Sequence, residues 1–248
     1  MQKLIPRAMM FGLAVAGCAV ALLMSGCATT VESKPEAAKA VESGSQLPPA
    51  VTGFFGPDAS KLAPGPQGGA ALVWINPNAQ WSKYTKVQLL PVEFWAAADS
   101  KVSTADQQML TAYTYNSLKT HLEKVLTVVD QPGPDVMTLR VALMDATTST
   151  PGLRSISIIV PQARLLNGLQ SLGTGSYAFV GSAEAEMKIT DSVTGELLAA
   201  AVDQRAGGMG IKGAASFQWG DAQNVIDYWA ERISSRIAQL QGKAPAQS

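Results

Sequence analysis

The chain has 248 residues, with 19 basic and 19 acidic groups, one histidine, two cysteines and 47% hydrophobic residues. Balanced charge without a basic stripe interleaved with aromatics gives phosphate no electrostatic footprint, which argues against a nucleic-acid partner. Both cysteines, Cys18 and Cys27, lie at the start of the chain. Thiol catalysis, Cys-based zinc sites and iron–sulfur clusters are therefore excluded from the body of the protein.

The opening residues read as a three-part export signal: Lys3 and Arg7 as a cationic start, an apolar run from Ala8 to Met24, then small residues before a cysteine. The run is broken by Gly12, Gly17 and Gly26, and a spanning helix needs about 20 apolar residues. Leu22-Leu23-Met24-Ser25-Gly26-Cys27 resembles the lipobox of bacterial lipoproteins. That resemblance implies cleavage between Gly26 and Cys27, with diacylglycerol on the Cys27 thiol and an N-acyl (palmitate-class) chain on its amine. Val15-Ala16-Gly17-Cys18 fits the pattern too, but cutting there would leave the greasy Ala19–Met24 stretch at the start of a water-soluble chain. Ala28 stands where Asp retains a lipoprotein in the inner membrane of enteric bacteria. The sorting rule thus implies the outer membrane, with inner-membrane anchoring left open.

Residues 1–26 are thus expected to be the signal peptide. Residues 27–46, rich in Ala, Glu, Lys, Ser and Val without an aromatic, are expected to form a flexible tether, because they cannot bury enough apolar area to offset the entropy of ordering. A single periplasmic α+β domain is expected over 47–243, with a loop-like lead-in over 47–73 and a disordered tail over 244–248. The lead-in carries Pro48, Pro49, Pro57, Pro64 and Pro66 around an apolar knot, Val51-Thr52-Gly53-Phe54-Phe55-Gly56.

Further along, Val87 to Phe94 reads as a mostly buried strand, and Pro91, lacking an amide donor, marks an edge or a bulge. Ser103-Thr104-Ala105-Asp106 resembles a capping box. It opens an amphipathic helix with Leu110, Tyr113 or Thr114, Leu118, Leu122 and Val125 at helical spacing. Val128-Val129 and Val136–Asp145 are expected strands, Ser155–Val160 a short extended piece, and Pro161 or Gln162 to Leu172 a weaker helix. Ala183 to Thr190 alternates apolar and polar residues without a break, which predicts a strand with one face on the core and Glu184, Glu186 and Lys188 toward water. Asp191-Ser192-Val193-Thr194-Gly195 supplies a turn into an antiparallel return over Glu196–Asp203. The last helix, with Asp221 as expected N-cap, carries Val225 or Ile226, Trp229, Ile233, Ile237 and Leu240 on one stripe, and Gln223, Asp227, Glu231 and Ser235 on the other side.

Several of these segments together resemble a known family. Gly53-Phe54-Phe55, Ser60-Lys61-Leu62, Trp74-Ile75-Asn76-Pro77, Trp81-Ser82-Lys83-Tyr84 and Val87–Trp95 are similar to the signature of the domain-of-unknown-function 3313 family of bacterial lipoproteins. Pro57-Asp58-Ala59 departs from it. The resemblance implies no catalytic residue. The expected fold class is α+β: a mixed, largely antiparallel sheet with two long amphipathic helices packed on one face. The strand, Asp-x-x-Thr-Gly, strand element is also similar to TolB amino-terminal and curli-secretion lipoprotein architectures.

Reactive groups are sparse. His121, on the flank of the long helix, is read as a structural residue, no Gly-x-Ser-x-Gly elbow is present, and one imidazole is too few for a zinc site. Gly207–Gly213 lacks the Lys-Ser/Thr ending of a phosphate loop. Trp74, Asn76, Trp81 and Tyr84 are candidate lining for a ligand groove. The expected function is that of a non-enzymatic, lipid-anchored envelope protein, binding or accessory, held to membrane lipid through Cys27, with no cofactor or metal and with an envelope protein as candidate partner. The alternatives are a subunit of an export or transport assembly, and a cell-wall or lipid hydrolase using His121 and Glu184.

Overall fold

The computed structural model describes residues 31–97, 100, 102–144, 156–159, 182–206 and 219–243. Cys27, the signal peptide, the weak helix expected after Pro161, the Gly207–Gly213 loop and the tail over 244–248 lie outside the described residues. The fold is α+β, as the sequence pattern predicts. In chain order the strands are β1 (Val31–Ser33), β2 (Ala63–Pro64), β3 (Leu72–Ile75), β4 (Lys86–Leu89), β5 (Glu93–Ala97), β6 (Thr127–Val129), β7 (Val136–Met144), β8 (Ile156–Ile159), β9 (Ser182–Asp191) and β10 (Leu197–Ala206). The helices are α1 (Glu36–Ser43), α2 (Pro49–Phe55), α3 (Thr104–Leu122) and α4 (Trp219–Leu240).

All ten strands join one mixed sheet whose main path runs β2-β3-β10-β9-β7-β4-β6. β4 and β5 both pair parallel with β7, Leu89 opposite Leu139 and Glu93 opposite Ala142, so four residues on one strand span three on the other. The extra residue is a bulge at Leu90-Pro91-Val92. It reverses the alternation: Val87 and Leu89 face the main core before it, Phe94 and Ala96 after it. The outer neighbour changes at the same place, from β6 opposite Lys86–Gln88 to β8 opposite Phe94–Ala97. Pro91 thus sits where no ladder bond to its far side is needed.

One sheet face carries α3 and α4. Val87, Leu139, Val141, Leu143 and Ile189 pack there against Leu110, Leu118, Leu122, Val225, Ile226, Trp229 and Ile237. α3 starts as expected, with the Asp106 amide donating to Ser103 Oγ at 3.2 Å and the Ser103 hydroxyl to Asp106 Oδ2 at 2.8 Å. α4 begins at Trp219, so Asp221 lies inside its first turn instead of capping it. Asp227, expected to face water, accepts from Tyr113 Oη at 2.8 Å and Ser117 Oγ at 2.6 Å and ties α4 to α3.

The other face is covered as well, which corrects the expectation of a tether over 27–46 and a loop-like lead-in over 47–73. β1 pairs with the end of β10, Val31 opposite Ala206. α1 buries Ala37, Ala38 and Ala40, and α2 continues through a 3-10 turn over Gly56–Lys61. α1 contributes only alanines to the buried surface, whereas α2 contributes Ala50, Val51, Phe54 and Phe55. With Phe54, Phe55, Leu62, Leu72, Trp95, Ala142, Met144, Ala200 and Val202 they form a second core. The carboxyl end of α2 faces two cations: Arg140 Nη1 donates to Phe54 O at 3.2 Å and Lys188 Nζ to Phe55 O at 3.5 Å, the arrangement the helix dipole favours. Arg140 also makes a two-bond pair with Glu93, at 2.7 and 2.9 Å, and lies 4.4 Å from the Phe54 ring centroid. Arg140→Ala would strip Glu93 of its cation and α2 of its contact, and is expected to lower stability by about 2 kcal/mol in urea unfolding, allowing for partial solvent exposure.

The covering helices overturn the expectation that Glu184 and Glu186 are solvated. Their strand alternates as predicted, but the face they occupy lies under α1 and α2, leaving Glu184 2% and Glu186 0% exposed. Glu184 Oε2 and both Glu186 carboxyl oxygens have no hydrogen-bond partner among the described residues. Burial, then Glu36 on α1 and Asp203 on β10, pushes the Glu184 carboxyl up to about 7. Burial, reinforced by Glu184 and opposed by Arg140, raises Glu186 well above the usual range. An unfolded chain releases these protons near the ordinary value of 4.5, whereas the folded chain keeps the Glu184 proton to about 7. Stability is therefore present at low pH and falls as pH rises through that window, by about 3 kcal/mol from Glu184 alone. Urea unfolding should give a higher stability at pH 5 than at pH 8, and Glu184→Gln should flatten the dependence by that amount.

Candidate functional site

The four residues expected to line a groove do not share one. Trp74 stands on β3 against the second core with the Lys61 ammonium 4.9 Å from its ring centroid, whereas Trp81 and Tyr84 are buried in the main core on the opposite face. Asn76 is buried, its amide donating to Glu196 Oε1 at 2.8 Å and Leu197 O at 3.2 Å. Aromatic and amide groups in this stretch are needed to close the end of the sheet, and that need accounts for the pattern.

Tyr84 Oη and Lys83 Nζ both donate to Asp191 Oδ2, at 2.9 and 2.8 Å, while Asp191 Oδ1 accepts from the amides of Val193 and Thr194, each at 2.9 Å. Burial works against the charge, but these four donors hold the Asp191 carboxyl well below the usual range. Gly195, at φ +73°, completes the turn. This is a structural junction between the β9–β10 turn and the start of β4. The hydrolase pair is not assembled: His121 lies in the last turn of α3, on the main-core side, and Glu184 lies under α1 on the reverse side of the sheet. Burial and the neighbouring Lys124 lower the His121 pKa. Among the described residues no group of three or more His, Cys, Asp or Glu is placed to hold a metal ion.

The feature with the form of a binding site lies between the sheet and α4. A cavity of about 360 Å³ is walled by Val73, Ile75, Met187, Ile189, Ile226 and Ile233, among others, with Ala185, Ala199 and Ala201 in its floor. β9 and β10 alternate, so these alanines and Asp203 and Arg205 all point to the α4 side. Large side chains on α4 facing alanines on the strands cannot close the gap.

One end of the cavity is polar. Asp203 Oδ2 accepts from Arg205 Nε at 2.7 Å and from Trp229 Nε1 at 2.8 Å, and Asp203 Oδ1 from the Ala71 amide at 3.3 Å. Burial pushes the Asp203 carboxyl above its ordinary value against the pull of Arg205 and Trp229. Arg205 Nη2 donates to Gly69 O at 2.7 Å, and Arg232 Nη2 to Gly68 O at 3.1 Å. The turn they grip, Pro66-Gln67-Gly68-Gly69, closes with the Gly69 amide on Pro66 O at 2.9 Å and with Gly68 at φ +73°, a conformation glycine adopts without steric cost. The Tyr228 ring lies between the two guanidiniums, 4.9 Å from Arg205 and 5.9 Å from Arg232. None of these residues was a candidate from sequence. The usable signal was Asp203-x-Arg205 at a strand end together with Tyr228, Trp229 and Arg232 within one turn of the last helix.

The family model described as "Protein of unknown function (DUF3313)" matches residues 52–233. The chain belongs to this family. No curated protein matches it. Among solved structures it is similar to a PelC dodecamer from Paraburkholderia phytofirmans, at 11% identity and TM-score 0.34, covering 64% of this chain and 95% of that one. It is also similar to a DUF4136 family protein from Bacteroides thetaiotaomicron, at 13% identity and TM-score 0.33, covering 66% and 94%. A third similarity is to a DUF330 protein from Xanthomonas campestris, at 9% identity and TM-score 0.29, covering 68% and 92%.

Asp203→Ala is expected to remove the acceptor shared by Arg205 Nε, Trp229 Nε1 and the Ala71 amide and to cost about 3 kcal/mol. Urea unfolding monitored by Trp fluorescence would measure the loss, and Trp229 would report the change at the cavity mouth directly.

Proposed function

We propose that this DUF3313 protein is a lipid-anchored, non-enzymatic binding protein of the bacterial cell envelope, moored by an acylated Cys27 in the outer membrane with its folded body toward the periplasm. The reading is supported by Leu22-Leu23-Met24-Ser25-Gly26-Cys27, which resembles a lipobox, and the placement of β1 says where such an anchor would hold the folded body. Four residues after Cys27 the chain enters the sheet, Val31 opposite Ala206 and Glu32 opposite Arg205. Four residues of fully extended chain reach about 14 Å, so an anchor at Cys27 keeps the Arg205 end of β10, and the cavity mouth with it, close to the bilayer surface. Attachment through two or three acyl chains would be lasting, since each buried methylene contributes about 0.8 kcal/mol and one chain binds only reversibly. Among the described residues no helix is long and apolar enough to cross a membrane, and the anchor supplies attachment without one.

Cys27→Ala should shift the protein from the membrane to the soluble periplasmic fraction with its unfolding midpoint unchanged, and abolish incorporation of labelled palmitate. A variant that still fractionates with the outer membrane would overturn the anchoring reading.

A further inference from the structure

The cavity under α4 discriminates strongly by chemistry. Its walls are aliphatic over most of their length, and Thr114, which also lines it, spends its hydroxyl on Leu110 O at 2.7 Å. A sugar or a peptide placed there would set most of its hydroxyls or amides against aliphatic wall, at a desolvation cost. A volume of about 360 Å³ is of the size that takes one flexible hydrocarbon chain. The floor and most of the wall are aliphatic, and polar groups come from Asp203 and Arg205 at the end of β10 and from Arg232, Ser235, Arg236 and Gln239 along α4, so the occupant has an apolar body with a polar group on the α4 side.

The charge of that group follows from the mouth. Arg205 and Arg232 stand on either side of Tyr228, and Arg236, one turn further along α4, also lines the cavity. Asp203 bonds Arg205 at 2.7 Å, whereas Arg232 and Arg236 are exposed along α4 and bring positive charge to the rim. The register of β1 adds an independent constraint, since Glu32 lies opposite Arg205 only five residues beyond Cys27.

We infer that the cavity between the sheet and α4 receives one acyl chain of an anionic membrane lipid, whose headgroup lies at the rim between Arg205 and Arg232. The inference rests on the anchoring reading above for its source of ligand, because a mouth held near the bilayer meets acyl chains at high local concentration. Arg232 carries the headgroup contact: its side chain is exposed and keeps one bond to Gly68 O, so it can turn toward a phosphate or carboxylate without unpairing a buried group. Arg205 stays bound to Asp203 and positions the rim.

The test uses the full acylated protein in vesicles of phosphatidylethanolamine and phosphatidylglycerol, with a trace of phosphatidylglycerol bearing a photoactivatable group on its acyl chain. After illumination, peptide mapping should place the label on β9, β10 and α4, around Met187 and Ile233. Ala201→Phe, which fills the cavity floor, should cut this labelling at least five-fold. Arg232→Glu, an exposed change that keeps the fold, should cut labelling by the phosphatidylglycerol probe about three-fold relative to a phosphatidylethanolamine probe. Label confined to residues 27–46 or scattered over the outer surface would overturn the inference, as would equal labelling of wild type and Ala201→Phe at matched thermal unfolding midpoints. If Arg232→Glu lowers both probes equally or neither, the headgroup assignment falls. Cys27→Ala separates the two readings. Cavity labelling equal in both proteins, with neither floating with vesicles, sinks the anchor and keeps the acyl site. A wild type that floats but labels nowhere in the cavity sinks the acyl site and keeps the anchor. Label in Cys27→Ala and none in wild type means that the protein's own acyl chain fills the cavity, and overturns the inference.

Discussion

The packing of α4 against β9 and β10 decides most of what is distinctive in this molecule. Interiors are filled to crystal-like density wherever side chains can interdigitate, and here the strands present Ala185, Ala199 and Ala201 to a helix that presents Ile226, Trp229, Ile233 and Ile237. The helix is held at two points along its length: Asp227 is bonded to Tyr113 and Ser117 of α3, and just past its last turn Gln241 Nε2 donates to Tyr84 O at 2.6 Å. A rigid roof over a floor of small residues leaves a space by construction. The same alternation that turns alanines upward also turns Asp203 and Arg205 upward, at the end where the Pro66–Gly69 turn folds over.

The reverse side of the sheet obeys a different economy. Strands β7, β9 and β10 are covered on both faces, so their second face has to be filled by something other than water. The fill comes from the short, alanine-rich α1, from α2 with Phe54 and Phe55, and from the ion pairs of Arg140 with Glu93 and of Lys188 with Asp58, the latter at 2.7 Å. Beneath them burial raises the pKa of Glu184 to about 7 and that of Glu186 well above the ordinary value. Two carboxylic acids under a thin helical cover make the packing of that cover depend on proton concentration.

Much of the main core was legible in the sequence. The stripe Leu110, Leu118, Leu122 and the stripe Val225, Trp229, Ile237 both name the helix faces that pack on the sheet, and the Ser103 cap and the Asp191–Gly195 turn formed where their residue types require. Pro91 marked a bulge because a missing amide can be tolerated only where ladder bonds are not needed on that side. The second core was not legible, since Glu36–Ser43 has a solvated composition and its buried positions are alanines, which carry almost no hydropathy signal. Once that cover was missed, the alternation of Ala183–Thr190 could only be read as half-solvated. The candidate groove failed for a related reason: Trp74, Trp81 and Tyr84 are close in sequence but lie on opposite faces of the sheet, and a cavity floored by alanines leaves no trace in a scan for aromatic or reactive residues.

The two ends of the sheet's main path are short: β2 has two residues, one of them Pro64, and β6 has three. A strand of that length offers a neighbouring chain almost no ladder to extend, and proline removes one of its few donors. A neighbouring copy meeting either of these two borders would therefore find almost no backbone to pair with, and contact there would be made through side chains.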